Sequence, residues 1–294
     1  MNPVTYIRDR GGEIQKRKFV EIKKNVNKLL IYMMLIFGGC FMIVPFLWMV
    51  SASLKFETQV FSFPIQWIPE PVRWENYKDI FSKVKFLTYY KNTLIITAIT
   101  TFCQIFTCSL AAYSLARLKY RGRDKIFLAY LGTLMIPFQV VMIPQFVLMK
   151  QIGLTDDIWA VILISAFSPF GVFLFKQFFV TVPEELSEAG RIDGCSEFRI
   201  YRSIIMPLSK PAISSLTILT FVWSWNDFLK PLIYLSSDKN KTIQLGIRNF
   251  LSLYTSDYAL LMAAATMSLL PMIIVFFCAQ KSFIEGIAMT GIKG

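Results

Sequence analysis

The chain has 294 residues, 55% of them hydrophobic, 15% aromatic and 17% charged, with a formal net charge of +12 and a mean hydropathy of +0.51. A soluble domain carries about 25% charged residues, so this composition excludes an ordinary soluble enzyme and describes an integral membrane protein. Histidine is absent, which removes the commonest general base and metal ligand, and the five cysteines Cys40, Cys103, Cys108, Cys195 and Cys278 lack the paired spacing of a disulfide framework or metal site.

Residues 1–28 are polar and basic, with Arg8, Arg10, Lys16, Arg17, Lys18, Lys23, Lys24 and Lys28. The first apolar run then spans too much to be a cleavable signal peptide. Six apolar segments follow, at about 29–53, 92–116, 126–149, 158–180, 211–235 and 259–280. Each is near or above the ~20 residues that cross a hydrocarbon layer as a helix. Helices are required because a helix satisfies its own backbone in lipid, one segment at a time. The expected fold is therefore an all-α membrane protein with six transmembrane helices. It comprises a polar N-terminal segment (1–28), a transmembrane domain (29–283) and a C-terminal tail (284–294).

Orientation follows from where Lys and Arg accumulate. Residues 1–28, 117–125, 176–210 and the tail from Lys281 hold 20 of the 31 basic and 10 of the 19 acidic residues. The opposite side holds 11 basic and 9 acidic residues, a net charge of only +2. The first side is expected to face the cytoplasm, with both termini on it, in the cytoplasmic membrane of a bacterium. The positive charge thus belongs to membrane topology and not to nucleic-acid binding.

The outside loop 54–91 holds Pro64, Trp67, Pro69, Pro71, Trp74 and Tyr77, either an interfacial aromatic belt or a protein-contact surface. Segment two carries Thr100, Thr101, Gln104, Thr107, Cys108, Ala111 and Ala112, the small and polar residues through which membrane helices pack. In segment three Pro137 and Pro144 bend the helix, while Gln139 and Gln145 need partners that lipid does not supply. Those glutamines line a transport pathway or bond between helices. Lys176, near the end of segment four, is placed to snorkel to the interface. Segment five ends in Trp225, Asn226 and Asp227, followed by Lys230 and Pro231. Either Asp227 and Lys230 form a simple pair three residues apart, or this polar and aromatic group meets substrate at the outer mouth. Trp225 and Asp227, two residues apart, cannot share one helix face.

The longest polar island of the second half is 181–211. Pro183 suits a helix start, and Glu184, Glu185 and Glu188 favour the positive end of the helix dipole. Asp193-Gly194 is a stop, because Gly accepts the left-handed conformation. Ser196 then caps a second helix expected to close before Met206-Pro207. Leu186, Ala189 and Gly190 are expected to share one nearly flat face suited to close approach of another protein.

Glu188-Ala189-Gly190, Asp193-Gly194 and Ile205-Met206-Pro207 resemble the EAA loop of ABC importer permeases, departing from it at Gly190 and Cys195, where that pattern has Ala. Asn92-Thr93-Leu94, the stretch Ala112 to Arg117, Trp225-Asn226-Asp227-Phe228 and the ending Gly291-Ile292-Lys293-Gly294 extend the resemblance to the carbohydrate, maltose-type permeases. The resemblance implies a second homologous permease, two ATP-binding subunits that hold ATP and Mg, and an extracytoplasmic solute-binding protein that delivers a sugar. It implies an ATPase-coupling helix–turn–helix between transmembrane helices 4 and 5, made of Glu184, Glu185, Leu186, Glu188, Ala189, Gly190, Asp193, Gly194 and Pro207, with Lys293 of the tail also reaching the ATPases. No Gly-x-x-x-x-Gly-Lys-Ser/Thr motif occurs, so the chain has no phosphate cradle of its own. A permease for polyamine or phosphate, or a self-sufficient carrier, are the competing readings.

Overall fold

The computed structural model describes residues 3–251 and 257–291, with side chains for 24–251, 257–278 and 280. The chain begins with a long helix α1 (Pro3–Ser53), followed by α2 (Glu75–Lys83) and α3 (Phe86–Arg117). Next come α4 (Arg123–Gly132), α5 (Phe138–Gln151), α6 (Ile158–Ser165) and α7 (Pro169–Thr181). The polar island forms α8 (Glu184–Ile192), α9 (Glu197–Ile200), a widened turn (Tyr201–Ile205) and α10 (Met206–Leu208). The chain then continues through α11 (Lys210–Trp225), α12 (Leu229–Tyr234), α13 (Ile243–Arg248) and α14 (Tyr258–Gly291). The stretch expected as a C-terminal tail is thus helical up to Gly291, and Lys293 lies outside the described residues.

Four spans are long and apolar enough to cross a membrane: Lys24–Ser53, Phe86–Arg117, Ile158–Thr181 and Tyr258–Cys278. Two bent pairs bring the number to six if each is one span. Arg123–Met135 meets Phe138–Gln151 at 99°, and Glu197–Leu208 meets Lys210–Trp225 at 77°. Segment three is therefore a broken element and not one kinked helix. Pro137 forces Ile136 into extended backbone (ψ 112), as a proline does to its predecessor. Segment five also divides, because Pro231 would clash with the carbonyl four residues back in a continuous helix. Helix α11 ends at Trp225 and α12 restarts with Pro231 in its first turn.

Helix α3 is the central post, packed against α6, α7, α11 and α13. Its polar residues answer a specific need. The break between α6 and α7 frees backbone carbonyls where lipid offers no donor, and α3 supplies the donors. Gln104 Nε2 reaches Ser165 O (2.7 Å), Thr107 Oγ1 reaches Ala166 O (2.8 Å) and Cys108 Sγ reaches Ser168 O (3.3 Å). Thr220 of α11 completes the site by donating to Gln104 Oε1 at 2.8 Å. Gly171 lets α7 come this close, since a Cβ there would lie 2.8 Å from Cys108 Sγ. Lys176 does not snorkel freely. It sits 3.5 Å over the Phe127 ring and 3.8 Å from Asp124 of α4.

The bundle has two distinct ends. One gathers the α3–α4 connection with the α8–α10 region through Arg117, Glu184 and Glu197. The other gathers segments 54–91, 151–157 and 235–257, joined by Lys83–Asp257, Asn92–Lys239 and Asp156–Ser236 contacts. Helix α1 touches the rest of the bundle chiefly along α14, where Ala52 and Trp48 meet Ala259 and Met262. Most of its apolar side chains face outward, towards lipid or another membrane subunit.

Candidate functional site

The helical hairpin α8–α10 is built as its sequence dictates at the turn. Gly194 has φ +76, Gly194 N–H donates to Arg191 O, and Cys195 N–H donates to Gly190 O at 2.9 Å. This pair of reverse bonds closes a helix with a left-handed glycine. Ser196 Oγ then accepts from Arg199 N–H at 3.4 Å and starts the second helix. Pro183 stands one position earlier than expected, as the residue flanking Glu184. The second helix does not close before Pro207. Met206 N–H reaches Tyr201 O, five residues back, and this widened turn carries the chain through Pro207, which is exposed, to Leu208.

Glu185, Glu188, Ala189 and Ile192 recur at helical spacing and are all exposed, Ile192 at 86%. Leu186 (41% exposed) and Phe198 (57%) flank them. Gly190 corrects the sequence reading. It faces inward, where a Cβ would stand 3.0 Å from Ile204 and 3.1 Å from Ile200. Its missing side chain closes the hairpin on itself, and the outward surface is made by its neighbours.

The hairpin is tied to α3 by residues the sequence reading did not single out. Arg117, buried at the end of α3, donates through Nη2 to Phe179 O and Val182 O, carbonyls freed where α7 ends. Its Nη1 reaches Glu184 Oε2 at 3.3 Å. Glu184 lies 3.7 Å from Arg191, and Arg191 Nε donates to Glu197 Oε1 at 2.8 Å. Tyr113 OH donates to Glu197 Oε2 at 2.7 Å. The circuit begins and ends on α3, one turn apart. The hydrogen bond from Arg191, then that from Tyr113, hold the Glu197 carboxyl below its ordinary value. The available signal was an arginine closing an apolar run.

At the opposite end, Asn226 and Asp227 line an open groove of about 560 Å³ with Phe138, Trp223, Phe228 and Lys230. Trp225 does not reach it. It is fully buried, donates its indole N–H to Ser268 O at 3.0 Å and stacks on Phe221. The exposed aromatic face belongs to Trp223. Asp227 accepts from Lys230 N–H (3.2 Å) and from Lys230 Nζ (3.0 Å), so the pair read from the sequence forms and also starts α12. Gln139 is exposed at the start of α5, and Gln145 accepts from Tyr234 OH at 3.4 Å.

Neither end combines a nucleophile with a base, and among the described residues no three metal-ligating side chains converge. The arrangement offers a projecting hairpin locked to a membrane bundle, with a polar and aromatic groove at the far end. Residues 104–288 match the family described as binding-protein-dependent transport system inner membrane component. The chain belongs to that family. Its members are the permease subunits of ABC importers.

Among relatives, the arabinooligosaccharides transport system permease protein AraQ of Halalkalibacterium halodurans is 34% identical over 255 residues, 86% of this chain and 91% of that protein. The probable starch degradation products transport system permease protein AmyC of Thermoanaerobacterium thermosulfurigenes is 33% identical, covering 92% of this chain and 99% of its own. The maltodextrin transport system permease protein MdxG of Bacillus subtilis is 31% identical, covering 92% and 97%. The fold is matched by a chain from a bacterial ABC transporter that imports the acidic polysaccharide alginate, with TM-score 0.76 and 24% identity over 90% of this permease and 97% of that chain.

Proposed function

We propose that this permease forms the membrane path of an ATP-driven importer of sugars, oligosaccharides above all. The observation that carries the solute class is the agreement of relatives spanning more than 85% of the chain, named for arabinooligosaccharides, starch products and maltodextrin. A second, homologous permease completes the pathway. Two ATP-binding subunits, which hold ATP and Mg, seat on the α8–α10 hairpin. An extracytoplasmic binding protein delivers the sugar. Exposed Ile192, Phe198 and Leu186 beside Glu185 and Glu188 form a mixed apolar and acidic surface that suits a protein partner better than water.

ATP binding closes the ATPase pair, and the hairpin passes that movement to α3 through Arg117 and Tyr113. The bundle then shifts between inward- and outward-facing states. Each ligand shifts that equilibrium only by its differential affinity for the two states. At the outer groove, Trp223 offers a flat ring and Asn226 and Asp227 offer hydrogen-bonding groups, the combination a sugar requires.

Glu188→Lys reverses a charge on the exposed face without touching the core, so it is expected to abolish stimulation of the complex's ATPase by loaded binding protein while assembly stays normal. Stimulation at the wild-type level would sink the hairpin assignment. Uptake of labelled maltodextrin and arabino-oligosaccharide, competed with polyamine and phosphate, tests the solute class separately.

A further inference from the structure

The turn at 235–242, at the outer end of the bundle, is fixed from two sides by groups that address its backbone. Asp156, between α5 and α6, accepts through Oδ1 from Ser236 N–H (2.8 Å) and Ser237 N–H (2.9 Å). Its own N–H donates to Tyr234 O at 3.1 Å, and Asn240 Nδ2 donates back to Asp156 O. Asp156 holds φ +55, the only positive φ at a non-glycine among the described residues. From the other side, Asn92 Nδ2 donates to Lys239 O (2.8 Å) and Lys241 O (3.0 Å), and Thr93 Oγ1 accepts from Ile243 N–H (2.8 Å). The Lys241–Asp238 pair at 2.6 Å closes the turn internally.

This clamp leaves the tip's side chains outward. Ser236, Asp238 and Lys239 are exposed, and next to them Leu232, Leu235, Leu245 and Arg248 line a cavity of about 420 Å³. Among the described residues Lys239 and Arg248 make no ion pair. A strained, doubly fixed turn that displays unpaired cations beside an apolar hollow is preorganised for association, because the cost of ordering it is met before a partner arrives. The turn also follows α12 directly, so force on it reaches Asp227 and Lys230 through six helical residues.

We propose that the turn 235–242 is the seat of the extracytoplasmic binding protein, which meets Lys239 and Arg248 with carboxylates, and that Asp156, Asn92 and Thr93 are positioning residues that set its shape. This rests on the importer reading above. The test uses the whole complex in lipid nanodiscs, titrated with the binding protein purified from the same cells and identified by its stimulation of the wild-type ATPase. Lys239→Glu combined with Arg248→Glu is expected to raise the half-stimulating concentration at least tenfold, whereas Lys78→Glu, an equally exposed outer lysine, leaves it within twofold. Asp156→Ala is expected to speed hydrogen exchange at the Ser236 and Ser237 amides tenfold and to raise half-stimulation alongside. Asp156→Asn, which keeps an acceptor and tolerates the left-handed backbone, restores both to within about threefold. Faster exchange with unchanged half-stimulation would reduce Asp156 to a structural role and overturn its part. Unchanged half-stimulation in the double charge reversal would overturn the seat itself, also where Asp156→Ala fails to assemble. A wild-type complex that no binding protein stimulates would instead overturn the importer reading.

Discussion

The hairpin end is held side chain to side chain: Arg117, Glu184, Arg191, Glu197 and Tyr113 form one charged circuit. The outer end is held side chain to backbone: Asp156 grips the Ser236 and Ser237 amides, and Asn92 grips the Lys239 and Lys241 carbonyls. The difference matters mechanically. Ion pairs between long side chains tolerate small rotations and re-form, which suits a hinge between a driven hairpin and α3. Bonds to successive backbone groups fix a shape, which suits a surface that must be recognised. Lipid-facing residues contribute to neither task.

The largest effect separates packing from pathway at the outer end. Trp225→Ala removes a fully buried indole, and emptying such a site costs roughly 3–5 kcal/mol. The complex is expected to assemble poorly, with a lower melting temperature. Asp227→Ala breaks a partly exposed pair worth about 1 kcal/mol, and is expected to leave assembly intact while uptake falls. Equal loss of assembly in both variants would show that the groove is only a helix junction.

Next in size is Arg117→Ala, which breaks the circuit at its buried origin. It leaves the Phe179 and Val182 carbonyls and Glu184 without their donor. An orphaned acceptor costs roughly 1–3 kcal/mol, moderated because water reaches this end. Melting of the complex is expected to fall and ATPase stimulation by binding protein to drop with it. Arg117→Lys, lacking the planar fork, is expected to fall between. An unchanged melting temperature would show that the circuit carries no load.

The sequence revealed the class of fold because lipid imposes it: apolar runs of span length have one way to satisfy their backbones. The hairpin was legible in detail, since a left-handed stop at Gly194 and a cap at Ser196 are local chemistry. Gly190 was misjudged because periodicity gives a face but not its direction; only Ile200 and Ile204 packing behind it decides that. Trp225 was misjudged for the same reason, its partner Ser268 lying 43 residues away. The breaks at Ile136 and Asn226 were understated as bends, although prolines marked both. Asp156 is an ordinary turn residue until the 236–237 amides arrive from another loop 80 residues on.

The smallest effect compares the two ends by acid. Both carboxylates are depressed, so each stabilises the fold fully above its unfolded value and loses that contribution as pH falls through its folded value. Burial alone would raise Asp156, but hydrogen bonds from Ser237, Ser236 and Asn240 together outweigh it and bring it from 3.8 to about 2. Glu197, held down by Arg191 and Tyr113, starts from 4.5. The window for Glu197 therefore opens below 4.5, and that for Asp156 lies between 3.8 and about 2. Between pH 8 and 5 neither end is expected to change through these groups. On further acidification, amides of the hairpin around Ser196 and Arg199 are expected to lose protection, corrected for intrinsic exchange, before those of Ser236 and Ser237. Glu197 is partly exposed, so its loss is shallow and amide exchange detects it better than melting does. The reverse order, with the outer turn opening first, would mean that Asp156 is not what holds that turn.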